Sequence, residues 1–204
     1  MIKNIIFDFG KVLVDFDFPQ FMRRIFDDPV DMAEFSNLIL SKEWNAILDK
    51  EDKPFGEYMQ DLKNMYPQYE KYIEAFDSRY QEIMTGEIAG MYEVLNELKW
   101  RGFKLYGLTN WCSKVYDTIN SYEIFKLLDG RVISSEEHLL KPYPEIYQCL
   151  LERFQLKAEE CVFTDDKEEN VLGGKSVGID GIVFQNAQQF QRELEIKLAA
   201  ANNV

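Results

Sequence analysis

The chain has 204 residues, 46% of them hydrophobic and 14% aromatic, the balance of a globular protein with one sizeable core or a core carrying an insertion. A formal charge of −13 argues against a nucleic-acid partner, which calls for a basic face, and no run approaches the roughly 20 apolar residues that span a bilayer. Cys112, Cys149 and Cys161 are too few and too scattered for a disulfide framework or a zinc site, and an apolar run begins too early to leave space for a signal peptide, so a cytoplasmic protein is expected.

Residues 3–7 predict a first strand, which closes on Asp8. A block of different character follows. Phe18, Phe21, Met22, Ile25 and Phe26 fall at helical spacing, and a weaker stripe runs through Met32, Phe35, Leu38 and Ile39. Phe55, Tyr58, Met59, Leu62, Met65 and Tyr66 repeat the pattern, as do Tyr69, Tyr72, Ile73, Phe76, Tyr80 and Ile83. Four helices with no strand between them predict a helical cap over residues 16–86, with its own small core. The aromatic stripes are read as packing surfaces, not as a cofactor box.

The remaining domain is then 1–15 with 87–204. Tyr92, Leu95 and Leu98 predict a helix that Gly102 ends, before a strand at 104–108. Val115, Tyr116, Ile119 and Tyr122 predict the next helix, followed by a strand at 131–134. Ile146, Tyr147, Leu150, Leu151 and Phe154 form another helical face, with Pro144 suited to its first turn. A strand at 161–164, a helix through Val171, Leu172 and Val177, and a strand at 181–184 complete the alternation. This order predicts an α/β fold: a doubly wound parallel sheet covered by helices on both faces, with the helical cap inserted.

An open parallel sheet collects the ends of its strands along one edge, where ligands bind. Asp8, Thr109-Asn110 and Asp165-Asp166 close three of the apolar runs, and Lys141-Pro142 precedes a helix that Pro144 starts. A carboxylate nucleophile, a hydroxyl, a lysine and a paired acid read together as a magnesium-dependent phosphoryl-transfer site. Adjacent carboxylates repel each other, so a cation beside them relieves a real cost. Because the protein is acidic, Lys141 and the metal must reverse the field locally for an anionic substrate.

With these motifs in this order, the chain resembles the haloacid dehalogenase-like hydrolases over nearly its whole length. Asp8-Phe9-Gly10-Lys11-Val12 stands for the first motif, Thr109-Asn110 for the second, Lys141-Pro142 for the third, and Asp165-Asp166 with Asn170 for the fourth. The resemblance implies that Asp8 attacks phosphorus and becomes an aspartyl-phosphate. It implies that Thr109 and Asn110 bind phosphoryl oxygens and that Lys141 pairs with both the nucleophile and those oxygens. It further implies Mg2+ held by Asp8, the Gly10 carbonyl and Asp166, with Asp165 direct or through water, and a small phosphorylated substrate.

Gly10 departs from the pattern, because family phosphatases carry there a second aspartate that protonates the leaving oxygen and then activates water. A glycine keeps a carbonyl for the metal but has no proton to give. The Asp-x-Gly-x-Val form resembles a sugar-phosphatase branch, that of bacterial α-glucose-1-phosphatase. Two other readings stand beside a phosphatase: a catalytically weak binding or regulatory protein, and a dehalogenase, against which the acidic pair Asp165-Asp166 argues. Asp8-Phe9-Gly10 also spells a kinase metal-binding tripeptide, but neither a glycine-rich phosphate loop nor a catalytic-loop motif accompanies it. His138 is expected on a surface loop. Lys11, Phe16 and Trp44 are candidates for substrate contact from the cap side, with packing the better reading of Trp44. The sequence indicates no oligomeric state.

Overall fold

Ile5, Ile6 and Phe7 are fully buried in succession, which only a central strand covered on both faces allows. They lie in β1 (Asn4–Phe7) of a computed structural model that describes residues 1–39 and 41–201. Ile5 and Phe7 pack with Leu105, Val162 and Ile182, whereas Ile6 packs with Tyr106, Leu108, Val132 and Phe163 on the opposite face.

A short strand β2 (Val14–Phe16) leads into helices α1 (Phe18–Ile25), α2 (Pro29–Ile39), α3 (Lys42–Lys50), α4 (Phe55–Met65) and α5 (Glu70–Ser78). The chain returns through β3 (Met84–Glu87), antiparallel to β2. Then follow α6 (Met91–Trp100), β4 (Lys104–Thr109), α7 (Val115–Ser121), β5 (Gly130–Ile133), the short α8 (Ser134–Glu137) and α9 (Pro144–Arg153). The chain continues with β6 (Cys161–Asp165), α10 (Glu168–Ser176), β7 (Asp180–Val183) and α11 (Ala187–Ala201).

The main sheet is parallel, in the order β5-β4-β1-β6-β7. Chain order runs outward from β1 to one side and then restarts on the other, so the crevice above β1 lies between β4 and β6. That is the edge at which Asp8, Thr109 and Asp165 leave their strands. Gly107 helps to set it, because a Cβ there would stand 2.3 Å from the Phe9 ring, and Phe9 must cross β4 at that point.

All five expected strands of the main sheet are present, and Pro144 does open α9. The helical block differs from expectation in three ways. It contains five α-helices among the described residues, not four: α3 was missed because its apolar face is little more than Trp44 and Leu48, and Ser41 starts it by accepting a hydrogen bond from the Trp44 N–H. The last aromatic stripe splits, with Tyr80 and Ile83 in a separate 3₁₀ turn after α5. Finally, the helices do not bury a separate core. Their aromatic residues form one continuous cluster with Ile5, Phe7 and Leu105 under the sheet, joined through Phe18 stacked on Phe76 and Phe16 edge-on to Trp111.

Candidate active site

Asp8 continues β1 beyond its last paired residue, its N–H donating to the Thr164 carbonyl at 2.9 Å. This single bond fixes the direction in which its carboxylate leaves the sheet. Lys141, almost fully buried, lies 2.9 Å from Asp8 Oδ1 and 2.6 Å from Asp165 Oδ2, and donates to the Leu108 carbonyl at 2.9 Å. Asn110 holds the lysine in place from both sides of its backbone: its Oδ1 accepts from the Lys141 N–H at 2.8 Å, and its Nδ2 donates to the Lys141 carbonyl at 3.0 Å.

Asp165 is wholly buried and saturated. Its carboxylate accepts from Lys141, from the Lys167 N–H at 2.8 Å and from Asn170 Nδ2 at 3.0 Å on each oxygen. Asp166 next to it faces the opening instead. The carboxylates of Asp8, Asp165 and Asp166 each bring an oxygen within 4.8 Å of the others, an all-oxygen set of the kind a hard divalent cation accepts.

Burial pushes the Asp8 carboxyl up to about 6, with Asp165 adding repulsion and Lys141 pulling the other way. Burial and Asp165 likewise raise Asp166. Burial disfavours the Lys141 ammonium, but Asp165 and Asp8 more than compensate, and its pKa lies above the ordinary lysine value. The cluster therefore carries more negative charge than Lys141 neutralises.

These groups open into a cavity of about 250 Å³. Thr109 lines it, and its buried hydroxyl has no hydrogen-bond partner among the described residues. An orphaned buried hydroxyl is costly, and a ligand oxygen is what would satisfy it. Gly10, Asn110 and Asp166 also line the cavity, so two of the expected site residues, Asp165 and Lys141, stay behind the wall, Lys141 paired with Asp8.

Of the expected contacts from the helical side, Lys11 and Phe16 are in the wall; Trp44 packs against the hydrophobic core instead. Lys11 is itself engaged, donating to Asp15 Oδ1 at 2.5 Å and to the Phe16 carbonyl at 2.7 Å. His138 is exposed and ends α8 in a left-handed conformation.

Sequence reasoning missed Asn45 and Asp49 of α3, Phe18, Tyr80, Met84 and Trp111, all in the wall. The signal for the first two was a polar pair at i, i+4 beside the apolar pair Trp44 and Leu48, which turns two carboxamide or carboxylate side chains to one face. Burial pushes Asp49 up to about 7, Asp8 adding to the rise while Lys167 and Lys141 oppose it.

At Gly10, a Cβ would stand 3.0 Å from Phe16 Cε1 and 3.8 Å from Trp111 Cζ3. A side chain at residue 10 would therefore require the Phe16 ring to give by a few tenths of an ångström.

Residues 5–184 match the haloacid dehalogenase-like hydrolase family. The chain is 29% identical over 182 residues to the sesquiterpene phosphatase astK of Aspergillus oryzae, covering 88% of each chain. It is 24% identical to the D-ribitol-5-phosphate phosphatase of Bacteroides thetaiotaomicron, covering 97% of this chain and 99% of that one. Among solved structures, a HAD-like hydrolase of Porphyromonas gingivalis superposes with a TM-score of 0.76 at 20% identity, over 97% of this chain and 98% of the other. A HAD-family enzyme of Bacteroides thetaiotaomicron, solved with magnesium and inorganic phosphate, superposes at 0.74 and 18% identity, over 92% and 96%. The two structural likenesses speak for the fold; the family match, spanning both the sheet and its helical insertion, means that the chain belongs to the haloacid dehalogenase-like hydrolases.

Proposed function

We propose that the protein is a magnesium-dependent phosphatase that cleaves a small phosphorylated metabolite, a sugar phosphate being the favoured class, through an aspartyl-phosphate on Asp8. The observation that carries this reading is the pairing of a cavity-facing Asp8 with buried Lys141 at 2.9 Å, beside the unpartnered Thr109 hydroxyl. Both full-length relatives named above are phosphatases, which supports the same chemistry.

Asp8, Asp166 and the Gly10 carbonyl are the groups that would hold the metal, which when bound supplies positive charge against the transferring phosphoryl group. Asp165 takes a different part. Its oxygens are used by Lys141, Asn170 and the Lys167 N–H, so it orients the lysine and would have little lone-pair capacity left for a metal. Asp8 attacks phosphorus, the Thr109 hydroxyl and the Asn110 N–H receive the phosphoryl oxygens, and Lys141 keeps Asp8 ionised although burial opposes it. The helical insertion acts as the cap: Phe16, Phe18, Tyr80 and Met84 cover the cavity and keep bulk water from the first step. The acidic Asp166 at the opening weighs against the dehalogenase reading.

The test is phosphate release from a panel of sugar phosphates and other small phosphate esters with added Mg2+. Turnover lost on chelation and in Asp8→Asn is expected; turnover that persists in either condition would remove the basis of the proposal.

A further inference from the structure

We propose that Asp49, on the helical insertion, is a catalytic residue that gives the leaving oxygen its proton and later takes one from water, the task for which Gly10 has no side chain. The inference rests on the phosphatase reading above. Its balance is simple. As Asp8 attacks and the bond from phosphorus to the leaving oxygen breaks, the Asp49 proton passes to that oxygen and the alcohol departs. Water then attacks the aspartyl-phosphate, its proton passes to Asp49, and the bond from phosphorus to Asp8 breaks, which restores the Asp8 carboxylate and the Asp49 acid and frees phosphate.

Three observations converge on this residue. Asp49 is in the wall of the same cavity as Asp8 and Thr109, and apart from the Asp8 and Asp166 of the metal set it is the carboxylate found there. Its side chain is half-buried, and among the described residues none donates a hydrogen bond to it, so the carboxylate is uncommitted.

The backbone around it, by contrast, is latched to the sheet domain. Ser134 Oγ donates to the Asp49 carbonyl at 2.5 Å, His138 Nδ1 lies 3.0 Å from the Lys50 carbonyl, and Glu51 Oε2 accepts from the Ser113 N–H at 2.5 Å. A proton donor must be held still with respect to the nucleophile, and three ties within three residues do that.

The surroundings suit a group that must carry a proton at neutral pH. Asp8 faces it with like charge, Lys167 and Lys141 with opposite charge, and Tyr80 and Cys112, both held neutral by burial, complete the neighbourhood. Burial outweighs the lysines, and the carboxyl is both protonated and ionised in useful amounts near pH 7. The usual position for this acid is a glycine here, and a Cβ on it would press on Phe16 Cε1 at 3.0 Å.

The experiment compares Asp49→Asn with the unaltered protein, both with Mg2+, on p-nitrophenyl phosphate and on glycerol 1-phosphate. The alkyl ester needs a proton on its leaving oxygen and the aryl ester does not. The ratio of alkyl to aryl turnover should fall by about 10²-fold or more in Asp49→Asn, and Asp49→Glu should recover part of it. The aryl ester should also give a rapid burst of p-nitrophenolate followed by slow release, since the second step loses its base. In the metal-free protein, carbon-13 carboxyl resonances should include one with a midpoint near neutrality that disappears in Asp49→Asn. An unchanged alkyl-to-aryl ratio in a folded Asp49→Asn, or an Asp49 carboxyl that titrates in the ordinary range, overturns the role of Asp49 and leaves the phosphatase reading standing. An unaltered protein inert towards both esters and the whole phosphate panel overturns that reading, and this inference with it.

Discussion

Lys141 shows how one residue can set the character of a site. Its ammonium is placed between two buried carboxylates, and each of the three groups would be costly alone. Among the described residues Asp49 has no such partner, and the difference has a thermodynamic consequence. The folded chain holds a proton on Asp49 up to about pH 7, whereas the unfolded chain releases it near the usual carboxylate value of 3.8. The folded state therefore loses stability as pH rises from about 4 through 7. Asp49→Asn removes that loss, so the variant should unfold at higher urea than the wild type above pH 7, by roughly 1–2 kcal/mol given the partial solvent access of the side chain. The difference should shrink towards zero near pH 4. A variant equally stable at both ends of that range would mean that Asp49 is no harder to ionise in the fold than outside it.

The behaviour of α3 belongs to the scale of elements. Its C-terminal end is tied to the loop before α7 by Glu51 and to α8 by Ser134 and His138, so the helix moves with the sheet edge it serves. Ser134 Oγ accepts from the Trp111 N–H at 2.9 Å as well as donating to the Asp49 carbonyl, with the Trp111 carbonyl a more distant acceptor at 3.3 Å. Ser134→Ala should lower kcat by about 10-fold through misplacement of α3, at a stability cost of about 1 kcal/mol read from the urea midpoint. Loss of stability with full kcat would separate the tie from the chemistry.

The five strands of the main sheet were legible in the sequence because each is an apolar run stopped by polar residues or glycine. α3 was not, since Trp44 and Leu48 alone make a thin stripe. The β2–β3 ribbon was not either. Its two strands are separated by the whole helical insertion, and its ladder passes over Thr85 to pair Phe16 with Met84, so no local alternation announces it.

Across the whole molecule, the site sets a few lysines among its carboxylates on a strongly negative body. Lys141, Lys167 and Lys11 gather near the cavity of a chain with a formal charge of −13. A dianionic substrate approaches against the long-range field and is favoured only within the last few ångströms. Screening acts on the first term more than the second, so KM for a phosphate ester should fall several-fold as ionic strength rises from about 0.01 to 0.15 M at fixed free Mg2+. A KM that rises instead would assign the steering to the lysines.

The motif residues could be read from the sequence because a parallel sheet puts successive strand ends together whatever the loops contain. Asp49, Tyr80 and Met84 reach the cavity only through the way the helical insertion folds back, and that depends on aromatic packing between segments far apart in the chain.

The contact between Gly10 and the Phe16 ring also bears on how such a sequence can change over time. The two positions are coupled: an acid at residue 10 presses on the ring, and a smaller residue at 16 leaves a gap beside the glycine. A change at residue 10 is therefore accepted more readily together with a smaller side chain at residue 16 than alone, so the effects of the two substitutions should depend on each other.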